Sequence, residues 1–422
     1  MLKTPDIRRR ILFTLSIIFI FRLLAAIPLP GVNGEAFKKF FGDNPFGNVF
    51  TLVTGGRLDN PSVVAIGLAS YINASVIIQL LTTVIPKLEE ISKEGERGRQ
   101  IINQYTRYLT VPLTIMQSLV IYTILKKQFP DLVGEPSMLE ITTMVASLTA
   151  GTILLMWLSE LISENGVGNG SSVIIFAGII ASLPGLLSRD MEIISYDKML
   201  LSGVIIGILI MVAGIVFVTE ATRKVPIQYA RRVRGRMLYG GQSSYLPLKI
   251  NQAGVMPVIF AASFLTFPQI ITQFFVNASS STSIFFKISE KLSLLYTDEY
   301  LWLYNLLYFV MIVAFTFFYT FVVLNPSEQA ENLKKAGGFI PGIRPGKSTS
   351  DYITGIMLRL TVIGAIFLAT VALIPSLARR GTELAILSGV GGTSILIVVG
   401  VILDTIRQLE SMVVSRSYEA YQ

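Results

Sequence analysis

Histidine and cysteine are both absent from this chain of 422 residues. Without cysteine, the chain forms no disulfide framework and offers no thiolate nucleophile. Without histidine, it lacks the commonest general base and the commonest metal ligand, so we expect neither a catalytic site nor a bound metal or other cofactor. Charge is scarce too, because Asp, Glu, Lys and Arg make up only 15% of the residues, against about 25% in soluble domains. These absences predict a membrane protein that is not an enzyme.

Long apolar runs take the place of the missing charge, and hydrophobic residues make up 52% of the chain. A membrane-spanning helix needs roughly 20 mainly apolar residues. Ten segments are candidates, at about 11–28, 63–85, 106–125, 139–162, 171–187, 199–219, 252–272, 301–324, 354–375 and 383–404. The sequence therefore predicts an all-α polytopic membrane protein with ten transmembrane helices.

The Lys and Arg residues of the predicted loops are divided unevenly between the two sides of the membrane. With ten spans both termini lie on one side, and the loops and ends on that side contain about twice as many Lys and Arg residues as the other loops. Basic loops stay in the cytoplasm, so we expect both termini there. The long segments 220–251 and 325–353 and the tail at 405–422 fall on the same side.

A short outer segment at 188–198 divides the predicted spans into five before it and five after it. An odd number of spans in each half gives the halves opposite orientations, which is the precondition for an inverted repeat with a pathway at its interface. We therefore expect an N-terminal half at 1–187, a hinge at 188–198 and a C-terminal half at 199–404.

Few ionisable side chains fall inside the predicted spans. Arg22 is the deepest, while Glu160, Arg359 and Asp404 lie near span ends. We expect a structural role for Arg22 and snorkelling to the membrane interface for the other three. An ion-coupled secondary transporter needs an acid or a histidine near the midplane, and the sequence offers none there. The transporter is therefore the less favoured alternative to a passive pore, beside a scaffold that conducts nothing.

The stretch GVGNGSS at 166–172 is glycine-rich but contains no Lys, so it is not a phosphate-binding loop. We interpret it as a tight turn between two helices, in which Ser171 or Ser172 caps the second helix.

Six stretches spread along the chain carry a resemblance to a known family. They are YINASVIIQLLTTVIP at 71–86, EGERGRQIINQYTRY at 94–108, ENGVGNGSSVIIFAGIIASLP at 164–184, YLPLKINQAGVMPVIFAASF at 245–264, NPSEQAENLKKAGGFIPGIRPG at 325–346 and GGTSILIVVGVILDT at 391–405. Together they resemble the SecY family, the channel subunits of the bacterial protein-secretion translocon.

The resemblance implies two pseudo-symmetric, inverted five-helix halves around an hourglass pore in the bacterial plasma membrane. Unfolded secretory polypeptides cross through the pore, and membrane helices leave it sideways into the lipid. The implied partners are SecE, SecG, the SecA ATPase, a translating ribosome with its ribosomal RNA, signal peptides and nascent chains. The resemblance implies a channel that takes its energy from SecA or the ribosome.

The family match also implies roles for individual residues. The waist of the pore matches six aliphatic positions, which we call the ring: Ile72, Val76, Ile175, Ile179, Ile259 and Ile397. The plug below it matches about 48–62, with Val53, Thr54, Gly55, Gly56 and Arg57 at its centre. Polar residues of the lateral gate are expected at Gln79, Thr82, Ser263 and Thr266. On spacing alone, lipid contact or helix packing would be the better interpretation of these residues, and only the family match favours a ring.

The basic segment 220–251 interrupts two very apolar spans. Apolar and polar residues alternate along 224–229, as in a β-strand, and MLYGG at 237–241 begins a possible return strand. The family match makes this segment a protruding hairpin that binds SecA or the ribosome. The expected contact residues, on this hairpin and on the PGIRPG turn of 325–353, are Arg231, Arg232, Arg234, Arg236 and Arg344.

Overall fold

The structure is a computed structural model that describes residues 5–30, 62–128, 137–196, 198–229, 232–234, 237–239, 243–265, 268, 301–378 and 392–419. Helices dominate these residues, because long apolar segments in lipid satisfy their backbone groups within a helix. The helices are α1 (Pro5–Ala26), α2 (Ala69–Val84), α3 (Pro86–Lys93), α4 (Glu96–Gln128), α5 (Met138–Asn165), α6 (Gly170–Tyr196), α7 (Lys198–Glu220), α8 (Met256–Leu265), α9 (Leu301–Leu324), α10 (Pro326–Lys335), α11 (Lys347–Ala378) and α12 (Gly392–Glu419). The strands are β1 (Thr222–Tyr229), β2 (Arg232–Arg234), β3 (Met237–Tyr239), β4 (Ser243–Lys249) and β5 (Gly338–Phe339).

Each predicted span overlaps one described helix, so the all-helical membrane architecture is confirmed. By length and apolarity alone, five described segments are long enough to cross a membrane: Met138–Asn165, Ser202–Glu220, Leu301–Lys335, Lys347–Ile374 and Gly392–Val414. A sixth candidate is the pair formed by α2 and α3, which is bent by 102°. The count of ten crossings stays a prediction.

The bend between α2 and α3 has a local cause. Pro86 opens α3, and a residue that precedes proline is driven out of the α region. Accordingly, Ile85 has extended dihedrals, with φ −98° and ψ 111°. The α2 helix therefore ends at the edge of its apolar run, and the chain turns away.

The described chain divides into two compact units. The first consists of Met1–Lys198, Ala262–Asn305 and Pro375–Gln422. In it, α2 packs on α4, α4 on α5, and α5 on α6, while α1 contacts both α5 and α6 and α12 contacts α6. Most of the residues buried here are aliphatic or small hydroxyl residues. The predicted halves at 1–187 and 199–404 are a different division, and they stay a prediction.

The second unit consists of Met199–Ala261 and Leu306–Ile374. It contains a three-stranded antiparallel sheet in the order β4-β1-β5. The alternation in 224–229 correctly predicted β1, in which Val225 and Ile227 are buried. The predicted return strand is also present, since MLY at 237–239 forms β3, which pairs with β2 in a small hairpin, while β1 pairs with the later strand β4. Apolar side chains of both long loops and of α11 form a shared core: Val225, Leu248, Ile340, Ile353, Ile356 and Met357. We call the sheet with this core the sheet module.

Candidate functional site

All six ring residues lie in described helices and all are buried, the most exposed at 7%. Ile72 and Val76 lie on α2, one helical turn apart. In the same compact unit, Ile175 and Ile179 lie on α6, which packs directly against α12 with Ile397. Ile259 lies on α8 in the second unit. The structure thus brings α6 and α12 of the ring together and places each aliphatic side chain away from the surface.

Polar side chains that the sequence analysis did not single out lie on α4, the helix that packs against α2. Four hydroxyl residues recur at every fourth position of α4 and are buried: Thr106, Thr110, Thr114 and Ser118. Each donates a hydrogen bond to the carbonyl oxygen four residues before it. On the neighbouring helix, the Ser70 hydroxyl donates to Gln117 Oε1 at 2.6 Å. Small side chains that satisfy themselves let two helices approach closely in a membrane, and the four-residue spacing was the available signal.

The lateral-gate residues are only partly described, and Thr266 lies outside the described residues. The Thr82 hydroxyl donates to the Gln79 carbonyl oxygen of its own helix at 2.7 Å. Gln79 Oε1 and the Ser263 hydroxyl are both buried without a hydrogen-bond partner in the described part of the chain. The described residues therefore give these two atoms no hydrogen bond across the predicted seam. The gate itself stays a prediction.

The plug residues Val53, Thr54, Gly55, Gly56 and Arg57 also lie outside the described residues, as do Arg231 and Arg236. Arg232 and Arg234 lie on β2, where they are paired with Tyr239 and Met237 of β3. The small hairpin of β2 and β3 lies at the middle of the basic segment 220–251, where the family resemblance predicts the tip of a hairpin.

Arg344 is exposed on a stiff turn that belongs to the sheet module. The Thr349 hydroxyl donates to the Arg344 carbonyl oxygen at 2.9 Å, and the Ile343 amide donates to the Ile340 carbonyl oxygen at 3.0 Å. Gly342 and Gly346 flank the turn with φ of 82° and 108°, which only glycine adopts without strain. The guanidinium is therefore presented to solvent from a fixed backbone.

An ion pair on α10 illustrates the electrostatics of the loop helices. Lys335 donates to Glu331, four residues earlier, and the hydrogen bond lowers the pKa of the Glu331 carboxyl below its ordinary value. Both side chains are exposed, so the pair stabilises the helix only slightly.

Snorkelling stays a prediction for Glu160, to which the structure gives an ion-pair partner. Its carboxylate forms a two-point ion pair with Arg107 of α4, with Nε to Oε1 and Nη2 to Oε2 both at 2.7 Å. The Glu160 side chain is 20% exposed, so the pair joins α4 to α5 at a half-buried position. Asp404 lies 3.6 Å from Arg407 on its own helix, in keeping with an interfacial position.

The turn between α5 and α6 is held by three other parts of the chain. The buried Val167 amide donates to the Thr14 hydroxyl of α1 at 3.0 Å. The Gly168 amide donates to Gln408 Oε1 of α12 at 2.5 Å. The prediction that a serine caps α6 was wrong, because Asn169 Oδ1 accepts the Ser172 amide at 3.3 Å and the Ser171 hydroxyl also donates to it.

Comparison with known proteins matches this architecture to one family. The model of the SecY family matches residues 62–406. The protein translocase subunit SecY of Mycobacterium bovis is 40% identical over 441 residues, which cover 100% of this chain and 98% of that protein. The SecY subunit of Halalkalibacterium halodurans is 43% identical over 428 residues, which cover 99% of this chain and 97% of that protein.

Solved structures show the same fold at low sequence identity. A SecY structure concerned with the plug domain is 18% identical with a TM-score of 0.67, and the match covers 98% of this chain and 94% of that one. Sec61 in the canine ribosome-channel complex is 17% identical with a TM-score of 0.64, at the same coverage. The fold, the buried aliphatic residues of the ring and the high coverage of these relatives all agree. The chain therefore belongs to the SecY family of protein-conducting channels.

Proposed function

We propose that this protein-conducting channel closes around its substrate at the ring. The observation that carries the proposal is the burial of all six ring side chains, together with the direct packing of α6 against α12. Aliphatic side chains exclude water and hydrated ions from a narrow passage, and they seal against a chain of any sequence because they form no specific hydrogen bonds. A channel that must pass many different polypeptides requires this tolerance.

The plug and the lateral gate complete the proposed pathway. In a related SecY structure the plug domain stabilises the closed state of the channel and maintains a membrane seal, and the family resemblance of residues 48–62 supports the same role for them here. Signal peptides would part α2 from α8 and open the channel toward the lipid. Within the described residues, Gln79 Oε1 and the Ser263 hydroxyl have no hydrogen-bond partner, which supports a seam that opens at little energetic cost, since even hydrogen bonds that do form in membranes average only about 0.6 kcal/mol.

The sheet module is the proposed docking surface for the partner that supplies energy. The proposed surface includes the small β2–β3 hairpin, with Arg232 and Arg234, and the turn beside the module core, with Arg344. Guanidinium groups bind both phosphate and carboxylate. Either ribosomal RNA or an acidic surface of SecA therefore suits these residues. Sec61 in the canine complex is bound to a ribosome, which supports the ribosome as one partner.

The setting of the channel follows from the same family. We place it in the bacterial plasma membrane with both termini in the cytoplasm, supported by the excess of Lys and Arg in the loops on that side. SecE and SecG are its proposed membrane partners. The channel itself would catalyse no reaction, since the ATPase or the ribosome drives transport. The alternative of an ion-coupled secondary transporter has no support in the comparisons.

Reversal of the charge of Arg344 tests docking independently of channel assembly. Arg344→Glu is expected to insert in the membrane and to copurify with SecE, while SecA-driven export falls by roughly ten- to a hundredfold, the loss of one charge-assisted hydrogen bond. Lys347→Glu, an exposed charge reversal three residues away, is the matched control. Export of Arg344→Glu at the parental rate would contradict the docking proposal.

A further inference from the structure

The turn between α5 and α6 is more tightly held than a connecting turn requires. Gly166 and Val167 are buried, and the Thr14 hydroxyl that accepts the Val167 amide also donates to the Arg10 carbonyl oxygen at 3.0 Å. Arg10 in turn donates from Nη1 to the Gly166 carbonyl oxygen at 3.4 Å. One side of the turn is therefore fixed to α1.

Gln408 of α12 fixes the other side of the turn. Its Oε1 accepts the Gly168 amide at 2.5 Å. Gly168 has φ of +89°, and a Cβ at that position would lie 3.0 Å from Val173 Cγ2 and 3.2 Å from Thr405 Oγ1. The backbone of the turn thus lies directly against α12, and no side chain fits between them.

The bond from Gly168 to Gln408 lies at a set distance from the ring. Ile179 follows Gly168 by eleven residues, the last nine of them along α6 from Gly170, and Ile397 precedes Gln408 by eleven residues along α12. At about 1.5 Å of rise per residue, Ile179 lies about 14 Å from the start of α6 and Ile397 about 16 Å from Gln408. Since α6 starts two residues after this bond and α12 runs toward it, the two isoleucines fall within about one helical turn of the same level along the helix pair.

We propose that Gln408 is a positioning residue for the constriction. Its side-chain oxygen holds α12 in register with the start of α6, and this register keeps Ile179 and Ile397 side by side. The inference rests on the proposed role of the ring. Without the bond, α12 would slide or rotate against α6 and the two isoleucines would no longer close the same level of the pore.

The test compares three variants with a cross-linking reporter and an ion-leak assay. Gln408→Met removes the acceptor and keeps an unbranched side chain, whereas Gln408→Glu keeps an acceptor oxygen at the same reach. Glu410→Met, at an exposed position of α12, is the matched control. The reporter is a disulfide between Val173→Cys and Thr405→Cys, which is unambiguous because the chain has no cysteine of its own.

Loss of one hydrogen bond corresponds to about a fivefold change in an equilibrium constant. Gln408→Met should therefore slow reporter cross-linking about fivefold. It should also raise resting ion leak and export of proteins with defective signal sequences about fivefold. Gln408→Glu should restore parental values, and Glu410→Met should leave them unchanged. If Gln408→Met does not accumulate in the membrane, Gln408→Asn, which withdraws the oxygen by one methylene, should give the same pattern.

Ile397→Asn in the same assay separates failure of this inference from failure of the ring. If Ile397→Asn leaks ions while Gln408→Met has the ion leak and the signal-sequence stringency of the parent, the ring remains the constriction and Gln408 has no positioning role. If Ile397→Asn is itself tight, the ring is not the constriction, and this inference is overturned with it.

Discussion

Shortening Ile353 to alanine is expected to loosen the sheet module. Ile353 is 1% exposed at the centre of the module core. An isoleucine-to-alanine change in a core costs about 2–5 kcal/mol, and the near-complete burial of Ile353 indicates about 3 kcal/mol. At about 1.4 kcal/mol per tenfold, the opened form of the module becomes about a hundred times more populated.

Hydrogen exchange measures this opening directly, because backbone amides exchange from the locally opened state. The amides of β1 and β4 are expected to exchange about a hundredfold faster in Ile353→Ala. SecA-driven export should fall as well, since the Arg344 turn lies on the same core. Leu358→Ala on the same helix, at a position that is 42% exposed, should leave both quantities unchanged.

Parental exchange rates in β1 and β4 of Ile353→Ala would mean that the two loops do not share a core. If the β1 and β4 amides exchange faster but export stays at the parental rate, the two loops do share a core, and that core is not required for docking.

Three further predictions concern the rest of the pathway. Deleting residues 52–60 should raise resting conductance without abolishing export, because the ring still holds the chain; an equally tight resting channel would reduce 48–62 to an ordinary loop. A disulfide between cysteines at Thr82 and Ser263 should stop signal-sequence insertion, and efficient transport through the locked pair would count against the gate. Charge reversal at Arg234 should weaken ribosome binding more at low salt than at high salt, whereas unchanged affinity at low salt would remove Arg234 from the contact.

The helices could be predicted from the sequence because the membrane leaves few alternatives. An apolar run such as 199–219 with no charge forms a helix whatever its neighbours are. The strand at 224–229 was equally clear, since alternation puts Val225 and Ile227 on one face. The strand that pairs with it could not be predicted, because both 237–239 and 243–249 suit a strand. Loop length decides between these two only when the turn type is known.

Contacts between residues that are far apart in the chain could not be predicted from the sequence. Glu160 and Arg107 were each visible near a span end, but only the packing of α4 on α5 shows that they meet. Asn169 precedes two serines, and any of the three suits an N-cap; the backbone of the turn selects Asn169. The ring depended on the family resemblance, since aliphatic residues one turn apart are common on every membrane helix.

Closure of the pore at the ring can be measured as the ion conductance of Ile397→Asn. Ile397 is 4% exposed, and an amide at this place in the ring would stabilise water in the constriction; stabilisation by about 1.4 kcal/mol raises resting conductance roughly tenfold. Ile402→Asn, the same change at a position of α12 that is 42% exposed, is the matched control and should stay tight. A leak, with export of proteins that carry defective signal sequences, is expected in Ile397→Asn alone. Equal conductance of Ile397→Asn and the parent channel, with both variants present in the membrane at parental levels, would show that the ring does not close the pore.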